Sequence, residues 1–298
     1  MKRAGILLLA LVLLLAALVA PAQAAQPAEA DAVDQSRAEI VQYWTAERMR
    51  TATPLDIVQG AERTQRASPA GTGKKPRAAF PFTRYEPSTY NPAHGKVFFS
   101  DGSSNYVCSG TALTSGNESV VWTAGHCVNE GPGAFYTNWA FVPAYKDGAR
   151  PYGTWTAQTL LTTAAWGQQG DFSYDLGAAV MNTTGGATLT DTVGSRGAAF
   201  NQPAEQHYLA HGYPAAPPFT GERMFICESD LGTRDTSADP ATMGIGCDMT
   251  GGSSGGGWVV GNDVLSVNSY GYLNQPDVMY GPYQGSVAQQ LYASAAGS

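Results

Sequence analysis

The segment Cys247-Asp248-Met249-Thr250-Gly251-Gly252-Ser253-Ser254-Gly255-Gly256-Gly257-Trp258 sets two serines inside a run of glycines. Glycine reaches backbone conformations that other residues avoid, so such a loop can expose a serine hydroxyl while nearby N–H groups turn toward one point. Ser254 is therefore a candidate nucleophile. By itself, however, a glycine-rich serine loop is more often only a turn.

A serine hydroxyl is a poor nucleophile at its ordinary pKa, so the chain must also supply a base. Far upstream, the segment Thr123-Ala124-Gly125-His126-Cys127-Val128 offers His126 for this role. The other three histidines are weaker candidates. His94 lies in a Pro-Ala-His-Gly turn and is expected to be solvated, while His207 and His211 alternate along one predicted strand and are interpreted as structural.

Together the two segments resemble the trypsin-like serine peptidases of the chymotrypsin fold, in which T-A-[AG]-H-C carries the base and G-x-S-G-G carries the nucleophile. The T-G-G-x-S-G run looks most like the secreted bacterial branch that includes the glutamyl endopeptidases. The resemblance covers roughly Gly95 to the C-terminus. It implies that Ser254, rather than Ser253, is the nucleophile and that the N–H groups of Gly252 and Ser254 form the oxyanion hole.

The resemblance also implies a secreted serine endopeptidase with a Ser-His-Asp triad and an acyl-enzyme intermediate. Ser254 attacks a peptide carbonyl, His126 accepts its proton, and a buried carboxylate orients the imidazole. Asp175 is the candidate carboxylate, because Tyr174-Asp175-Leu176-Gly177 resembles the family's D-[ILV]-[AG] segment. Asp171 is the alternative, although its Gly-Asp-Phe context is more typical of a turn.

The substrate pocket implied by the resemblance involves Asp248 and the segment Ser269-Tyr270-Gly271. Asp248 stands six residues before Ser254, where trypsins keep the carboxylate that receives Lys or Arg. Asn268 stands where glutamyl endopeptidases place a histidine for an acidic side chain. These positions predict Lys or Arg ahead of Glu at the cleaved position, with an apolar or broad preference as the alternative.

The N-terminal part has the pattern of an exported precursor. Residues 1–24 combine a charged start, an apolar run to Val19 and the small-x-small site Ala22-Gln23-Ala24, which predicts a secretory signal and an extracellular protein. A membrane anchor is the alternative, but the apolar run is short for a span. No membrane association is expected once the signal is removed.

Residues 25–77 are expected to form a propeptide, with a permanent N-terminal extension as the alternative. A helical period predicts one amphipathic helix that ends before Pro54 and packs on the rest of the protein. Its apolar face contains Val33, Ile40, Val41 and Trp44, behind the possible caps Asp31 and Asp34. Residues 67–77, rich in Gly, Pro and Lys, read as a protease-accessible linker.

Charge separates residues 1–77, the leader, from residues 78–298, the body. The leader contains 10 Lys and Arg and 7 Asp and Glu, which leaves 7 and 17 of the chain totals of 17 and 24 for the body, a net charge of −10. Such an acidic body offers no basic stripe for phosphates, so a nucleic-acid partner is not expected. The expected partners are peptide or protein substrates and the chain's own propeptide, and the protein is expected to be a monomer.

Residues 78–298 read as an all-β chain, because short apolar runs alternate with Gly, Pro, Asn and Asp clusters. The pattern predicts two antiparallel barrels, about 78–185 and 186–298, that cross near residues 183–187. They end in a helix from Gly285 to Tyr292, with Val287, Leu291 and Tyr292 on one side. The resemblance implies six strands in each barrel. The predicted strands are Lys96–Phe99, Val107–Thr114, Ser119–Thr123, Trp139–Ala144, Ala178–Met181, His207–Gly212, Trp258–Val260 and Leu265–Asn268.

The 4 cysteines predict two disulfides with three possible connectivities in an exported chain. The resemblance implies that Cys108 pairs with Cys127, which leaves Cys227 for Cys247. A zinc site is the alternative, but the chain has neither C-x-x-C nor H-x-x-x-H spacing, so no metal or cofactor is expected.

Besides the peptidase, two other functions remain open: a non-catalytic binding protein on the same fold and a structural wall protein.

Overall fold

The computed structural model describes residues 28–55, 58–59 and 80–298. The predicted signal at residues 1–24 and the predicted linker at residues 67–77 lie outside the described residues. Among the helices of the described ranges, none has the length and apolar character needed to cross a bilayer.

Most of the described chain is in short strands. They are β1 Glu29–Ala32, β2 Thr53–Pro54, β3 Val58–Gln59, β4 Thr83–Tyr85, β5 His94–Ser100, β6 Asn105–Leu113, β7 Val120–Thr123, β8 Thr137–Pro143, β9 Trp155–Thr162, β10 Gly177–Met181, β11 Gly197–Ala198, β12 His207–Gly212, β13 Phe225–Asp235, β14 Thr242–Gly246, β15 Gly257–Val260, β16 Asp263–Val267, β17 Tyr270–Tyr272 and β18 Gln275–Gly281. The helices are α1 Arg37–Tyr43, α2 Ala46–Thr51, α3 Ala164–Gln169, α4 Leu189–Val193 and α5 Ser286–Ala296, with 3-10 turns at Gly125–Cys127 and Phe172–Tyr174.

Six of these strands close a first antiparallel barrel in the order β5-β6-β7-β10-β9-β8. The barrel closes because β8 pairs with both β5 and β9, for example Phe141 opposite Val97 and Trp155. Large apolar side chains, among them Trp122 and Trp139, fill its interior and are fully buried. Their burial supplies most of the stabilisation that holds this barrel together.

A second sheet follows the order β11-β16-β15-β12-β13-β14-β18-β17-β3, with β4 on β13. The long strand β13 pairs with β12 in its first half and with β14 in its second, across a register shift between Leu231 and Thr233. This shift turns the strand from one group of partners to the other. The two sheets and the few helices confirm the predicted all-β class, and every strand predicted from the sequence is present.

The C-terminal helix is also confirmed, and it is longer than predicted. Helix α5 begins after Gly285 and buries Ala288, Leu291 and Ala295 against the first barrel. The predicted apolar face of Val287, Leu291 and Tyr292 is confirmed at Leu291, whereas Val287 and Tyr292 are only half-buried. Ala288 and Ala295 face the barrel beside Leu291, because their small side chains allow the helix backbone to approach it closely.

The prediction of one amphipathic helix in the leader is wrong. The segment forms strand β1, which pairs with β9, followed by the two short helices α1 and α2. Ser36, not Asp31 or Asp34, caps α1: its hydroxyl accepts from the Glu39 N–H, and the Glu39 carboxylate accepts from the Ser36 N–H. Thr45 caps α2, so a second helix begins where the sequence pattern continued the first.

The leader helices nevertheless pack on the body as predicted. Ile40, Trp44 and Met49 are buried in a cluster with Phe98 and other side chains of the first barrel. The Trp44 indole N–H also donates to the Asn138 carbonyl at 2.5 Å. Val41, placed on the predicted apolar face, is exposed.

Both disulfides have the implied connectivity. Cys108 bonds to Cys127 and joins β6 to the segment that carries His126. Cys227 bonds to Cys247 and joins β13 to the start of the serine segment. Each bridge closes a loop of about 20 residues, which contributes about 3 kcal/mol in the chain-entropy account.

Candidate active site

His126 lies in the 3-10 turn after β7, and the buried carboxylate of Asp175 holds it at two points. Asp175 Oδ1 accepts from the His126 backbone N–H at 2.8 Å, and Oδ2 lies 2.7 Å from the ring Nδ1. The Ser269 hydroxyl donates to the same Oδ2 at 2.5 Å. A Cβ at Gly125 would lie 2.7 Å from the Trp166 ring and 3.0 Å from Asp175 Oδ1, so this close approach needs glycine.

This arrangement fixes the tautomer of the neutral imidazole. A carboxylate only accepts hydrogen bonds, so Nδ1 carries the hydrogen and Nε2 carries the lone pair. Nε2 is buried and has no hydrogen-bond partner within the described ranges. The ring therefore presents one nitrogen that can accept a proton.

The serine loop lies directly against the histidine segment. The Ser109 N–H on β6 donates to the Ser254 carbonyl at 2.7 Å, one residue after Cys108, which is bonded to Cys127. At Gly255, φ is +80° and a Cβ would lie 2.0 Å from Thr123 Oγ1. The glycine thus allows contact between two motifs that are far apart in the sequence.

Two N–H groups of the serine loop donate no hydrogen bond to the described residues. Gly252 has φ of +94°, and the carbonyl of Gly251 accepts from the Ala215 N–H at 2.7 Å. The carbonyl of Gly252 accepts from the Ser109 hydroxyl at 2.9 Å. Within the part of the chain that the structure describes, neither the Gly252 nor the Ser254 N–H donates a hydrogen bond. Both remain able to bind an oxyanion.

The two alternative residues are already engaged in local structure. Ser253 is buried, and its hydroxyl donates to the Thr250 carbonyl at 2.8 Å. Asp171 accepts from the Ser173 N–H at 2.9 Å and caps the 3-10 turn, as expected of a turn residue. Neither contacts His126 through a hydrogen bond.

The prediction that His94 is solvated is wrong. His94 begins β5, is buried, and stacks on His211 with ring centroids 3.8 Å apart. Thr111 Oγ1 lies 3.0 Å from its Nδ1, and the Arg196 guanidinium donates to its Nε2 at 3.2 Å. His207, by contrast, is exposed and bonds to Asp230 and Glu228.

These histidines predict a specific response to acid. Burial, and next the Arg196 charge, lower the pKa of His211 to about 4 from 6.5, so the unfolded state binds more protons below pH 6.5 and stability falls between pH 6.5 and 4. Urea unfolding of the Ser254→Ala protein measures how far the free energy of unfolding falls from pH 7 to pH 5. With His211→Gln added, this fall should be smaller by about 2 kcal/mol.

His207→Gln is the control with the opposite sign. Hydrogen bonds to Asp230 and then Glu228 raise the pKa of His207, so it stabilises the fold below its folded pKa. Without the His207 imidazole, the free energy of unfolding should fall more from pH 7 to pH 5 than it does in the parent. Equal pH dependence in the parent and His211→Gln would contradict the first expectation.

A cavity of about 180 Å³ opens beside Ser254. It is lined by Met249, Thr250, Gly251, Ser253, Ser254, Ser269, Tyr270, Gly271, Tyr272, Leu273, Gln275, Pro276, Val278 and Met279. The predicted pocket segment from Ser269 to Gly271 is therefore one of its walls. Asp248, predicted to form its base, does not line it, and its carboxylate forms an ion pair with Arg84.

Asn268 is structural. Its side-chain N–H groups donate to the carbonyls of His211 and Ser253 at 2.8 and 2.9 Å, and its oxygen accepts from the Trp258 indole at 2.7 Å. These three bonds use the buried amide to tie the serine loop to strands β12 and β15. No part of Asn268 lines the cavity.

Cys108, His126 and Cys127 bring three possible metal-ligand atoms within 4.8 Å of one another. The two sulfurs form a disulfide, however, and therefore cannot supply the thiolates that a zinc site needs. The cluster is part of the histidine segment rather than a metal centre.

Two solved structures resemble more than two thirds of the chain. The protease Anisep from Arthrobacter nicotinovorans is 49% identical, with a TM-score of 0.70 over 72% of this chain and 100% of its own. The thermostable serine protease AL20 from an extremophilic microorganism is 47% identical, with a TM-score of 0.67 over 70% of this chain and 98% of its own. The chain belongs to the bacterial serine proteases of the chymotrypsin-like fold.

A more distant solved structure shares the fold. It is a Glu endopeptidase, 18% identical, with a TM-score of 0.58 over 72% of this chain and 96% of its own. In sequence, the chain also resembles an extracellular metalloprotease of Bacillus subtilis, which is 26% identical over 141 residues, 47% of this chain. The match spans 39% of that relative's length. No family model matches the chain.

Three polar contacts of the candidate active site are not predicted by the sequence. It did not predict that Ser269 donates to Asp175, that Ser109 holds the Gly252 carbonyl, or that Arg84 pairs with Asp248. The sequence predicts Ser269 only as part of the substrate pocket. No local pattern around Ser109 or Arg84 indicated these roles, because each partner comes from a distant part of the chain.

Proposed function

We propose that this protein is a secreted serine endopeptidase that hydrolyses peptide bonds through Ser254, His126 and Asp175. The observation that carries the proposal is the pair of hydrogen bonds between His126 and the Asp175 carboxylate, 2.8 Å from the backbone N–H and 2.7 Å from the ring Nδ1. Beside them lies the serine loop, in which the Gly252 and Ser254 N–H groups donate to no described residue. Membership of the serine protease family supports the same reaction.

Each group has a proposed role in the reaction. His126 Nε2 accepts the Ser254 proton as the hydroxyl oxygen attacks the peptide carbonyl, and Asp175 stabilises the resulting imidazolium. The N–H groups of Gly252 and Ser254 bind the oxyanion. His126 then gives the proton to the leaving amine, and water hydrolyses the acyl-enzyme by the same steps. Catalytic hydrogen bonds often tighten only when substrate binds, so Nε2 needs no partner beforehand.

A fluorophosphonate probe tests the proposal directly. The processed protein should form a covalent adduct on Ser254, found by peptide mass spectrometry, and His126→Ala should not label at a comparable rate. Absence of an adduct in the folded parent would favour the alternative, a non-catalytic binding protein on this fold.

The proposal includes export as an inactive monomeric precursor. Residues 1–24 are removed after Ala24, and residues 25–77 act as the propeptide that the mature enzyme loses. Extracellular localisation is supported by the description of one relative as an extracellular metalloprotease. N-terminal sequencing of protein from culture medium would contradict the propeptide if the mature chain still began at Ala25.

Two strands of the leader, β2 and β3, pair with strands of the body and suggest how the leader inhibits the enzyme. Strand β2 pairs in parallel with β6 at Tyr106 and Val107, just before the contact between Ser109 and Ser254. Strand β3 pairs in parallel with β17, a wall of the cavity beside Ser254. Pro54 and Val58 are four residues apart, so their Cα atoms lie within about 14 Å of each other. The leader therefore pairs with strands on both sides of the site that a substrate must enter.

Loosening the leader should activate the unprocessed chain. Trp44→Ala removes a buried side chain that anchors α1, so we expect fluorophosphonate labelling of the precursor to be at least about 10-fold faster, on the scale of the 3–5 kcal/mol that such a truncation costs. Val41→Ala, at an exposed position of the same helix, is the control and should not change the rate. Equal labelling of intact precursor and processed enzyme would refute inhibition by the leader.

A further inference from the structure

The cavity beside Ser254 presents no charged side chain among the described residues that line it. Apolar side chains form the larger part of its wall, namely Met249, Val278, Met279, Leu273 and Pro276, beside uncharged hydroxyl and amide side chains. A substrate side chain that enters this cavity leaves water and meets more apolar than polar surface. Such a surface favours apolar side chains and penalises charged ones that arrive without a partner.

The polar groups of the wall are mostly used within the protein. The Thr250 hydroxyl donates to the Ala216 carbonyl at 2.8 Å, and the Tyr272 hydroxyl donates to Asp235 at 2.5 Å. The Tyr270 hydroxyl donates to the same carboxylate at 2.7 Å. The tyrosines therefore present ring carbons to the cavity, while their oxygens point to Asp235. Little hydrogen-bonding capacity remains for a charged substrate group.

Asp248 and Asp277 are the acidic residues that directly adjoin lining residues in the sequence, and Arg84 neutralises Asp248. Arg84 lies on β4 opposite Cys227 of β13, and Cys227 is bonded to Cys247, the residue before Asp248. This register and the disulfide together bring the guanidinium to the carboxylate, where the two form an ion pair. The Arg84 guanidinium also lies over the Phe219 ring, 4.7 Å from its centroid, which restrains it on this side.

We infer that Arg84 is a specificity-determining residue: by pairing with Asp248 it makes the pocket select peptides with an uncharged apolar residue, such as Leu, Met, Phe or Tyr, before the cleaved bond. This inference rests on the proposed peptidase activity. It replaces the preference for Lys or Arg expected from the sequence, because the carboxylate that would receive a basic side chain already has a cation.

The test uses the processed enzyme and one peptide p-nitroanilide series that differs only in the residue before the amide: Phe, Leu, Lys or Glu. We expect kcat/KM for Phe or Leu to exceed that for Lys and for Glu by at least about 10-fold, on the scale of burying one apolar side chain. A parent enzyme that prefers Lys or Glu overturns the inference. Failure to cleave any substrate, together with no fluorophosphonate adduct, would instead defeat the proposed peptidase function.

Three variants isolate Arg84. Arg84→Gln should raise kcat/KM for Lys about 10-fold, because Asp248 loses its cation, and adding Asp248→Asn should remove that gain. Arg84→Lys keeps the charge and should retain the parent profile. Arg234→Gln, which breaks the ion pair between Arg234 on β13 and Glu205, is the control and should leave the profile unchanged. An unchanged Lys rate in folded Arg84→Gln overturns the inference.

Asp248→Asn alone gives an independent measurement if Arg84→Gln does not fold. This change leaves Arg84 without its carboxylate, so cleavage after Glu should rise while cleavage after Lys stays as in the parent. A fall in cleavage after Lys would mean that Asp248 already receives the substrate side chain, and it would overturn the inference.

Discussion

Replacing Ser254 with alanine is expected to reduce peptide hydrolysis by about a million-fold, the scale seen when a serine protease loses its nucleophile. Ser254 is buried in a loop whose carbonyls accept hydrogen bonds from the backbone N–H and the hydroxyl of Ser109, so loss of the Ser254 hydroxyl should leave the fold intact. The measurement is kcat/KM on the preferred p-nitroanilide, with circular dichroism as the check on folding.

Ser253→Ala is the matched control for that experiment. Its hydroxyl donates to the Thr250 carbonyl and is not available as a nucleophile, so we expect less than about a 10-fold loss, from the single hydrogen bond of about 1 kcal/mol. If Ser253→Ala lost activity and Ser254→Ala kept it, the assignment of the nucleophile would be reversed.

Asp175→Asn is expected to lower kcat by about 10,000-fold, because an amide at this position stabilises the wrong imidazole tautomer. Asp175 Oδ2 accepts from both His126 and Ser269, and an Asn NH2 group at this place could not accept from either. The loss should appear in kcat more than in KM, and single-turnover kinetics with an ester substrate would separate the two.

Asp171→Asn serves as the control for Asp175. Asparagine keeps the side-chain oxygen that accepts from the Ser173 N–H, so the cap of the 3-10 turn should survive. We expect kcat and KM within about 2-fold of the parent, since no contact of Asp171 reaches the imidazole. A large loss in Asp171→Asn with a small one in Asp175→Asn would identify Asp171 as the orienting carboxylate.

Much of the fold could be read from short-range patterns, but some strands could not. Strand β13 contains Glu228, Asp230 and Arg234, and β14 contains two glycines, so neither has the composition expected of a strand. They form strands because neighbouring strands on both sides satisfy their backbone groups. In the leader, the caps Ser36 and Thr45 decided the helix boundaries against a longer apolar period.

The sequence by itself determined the chemical groups of the candidate site, because glycine runs are local and tied to backbone geometry. It left three disulfide connectivities open, and the family resemblance implied the one that the structure has. Only the tertiary structure decided how charges and hydrogen bonds were compensated. Arg84 reaches Asp248 across 164 positions, and Ser269 reaches Asp175 across 94. His94 became a buried partner of His211 instead of a solvated turn residue. Burial and charge compensation depend on which strands meet and in which register, and local sequence patterns carry little of that information.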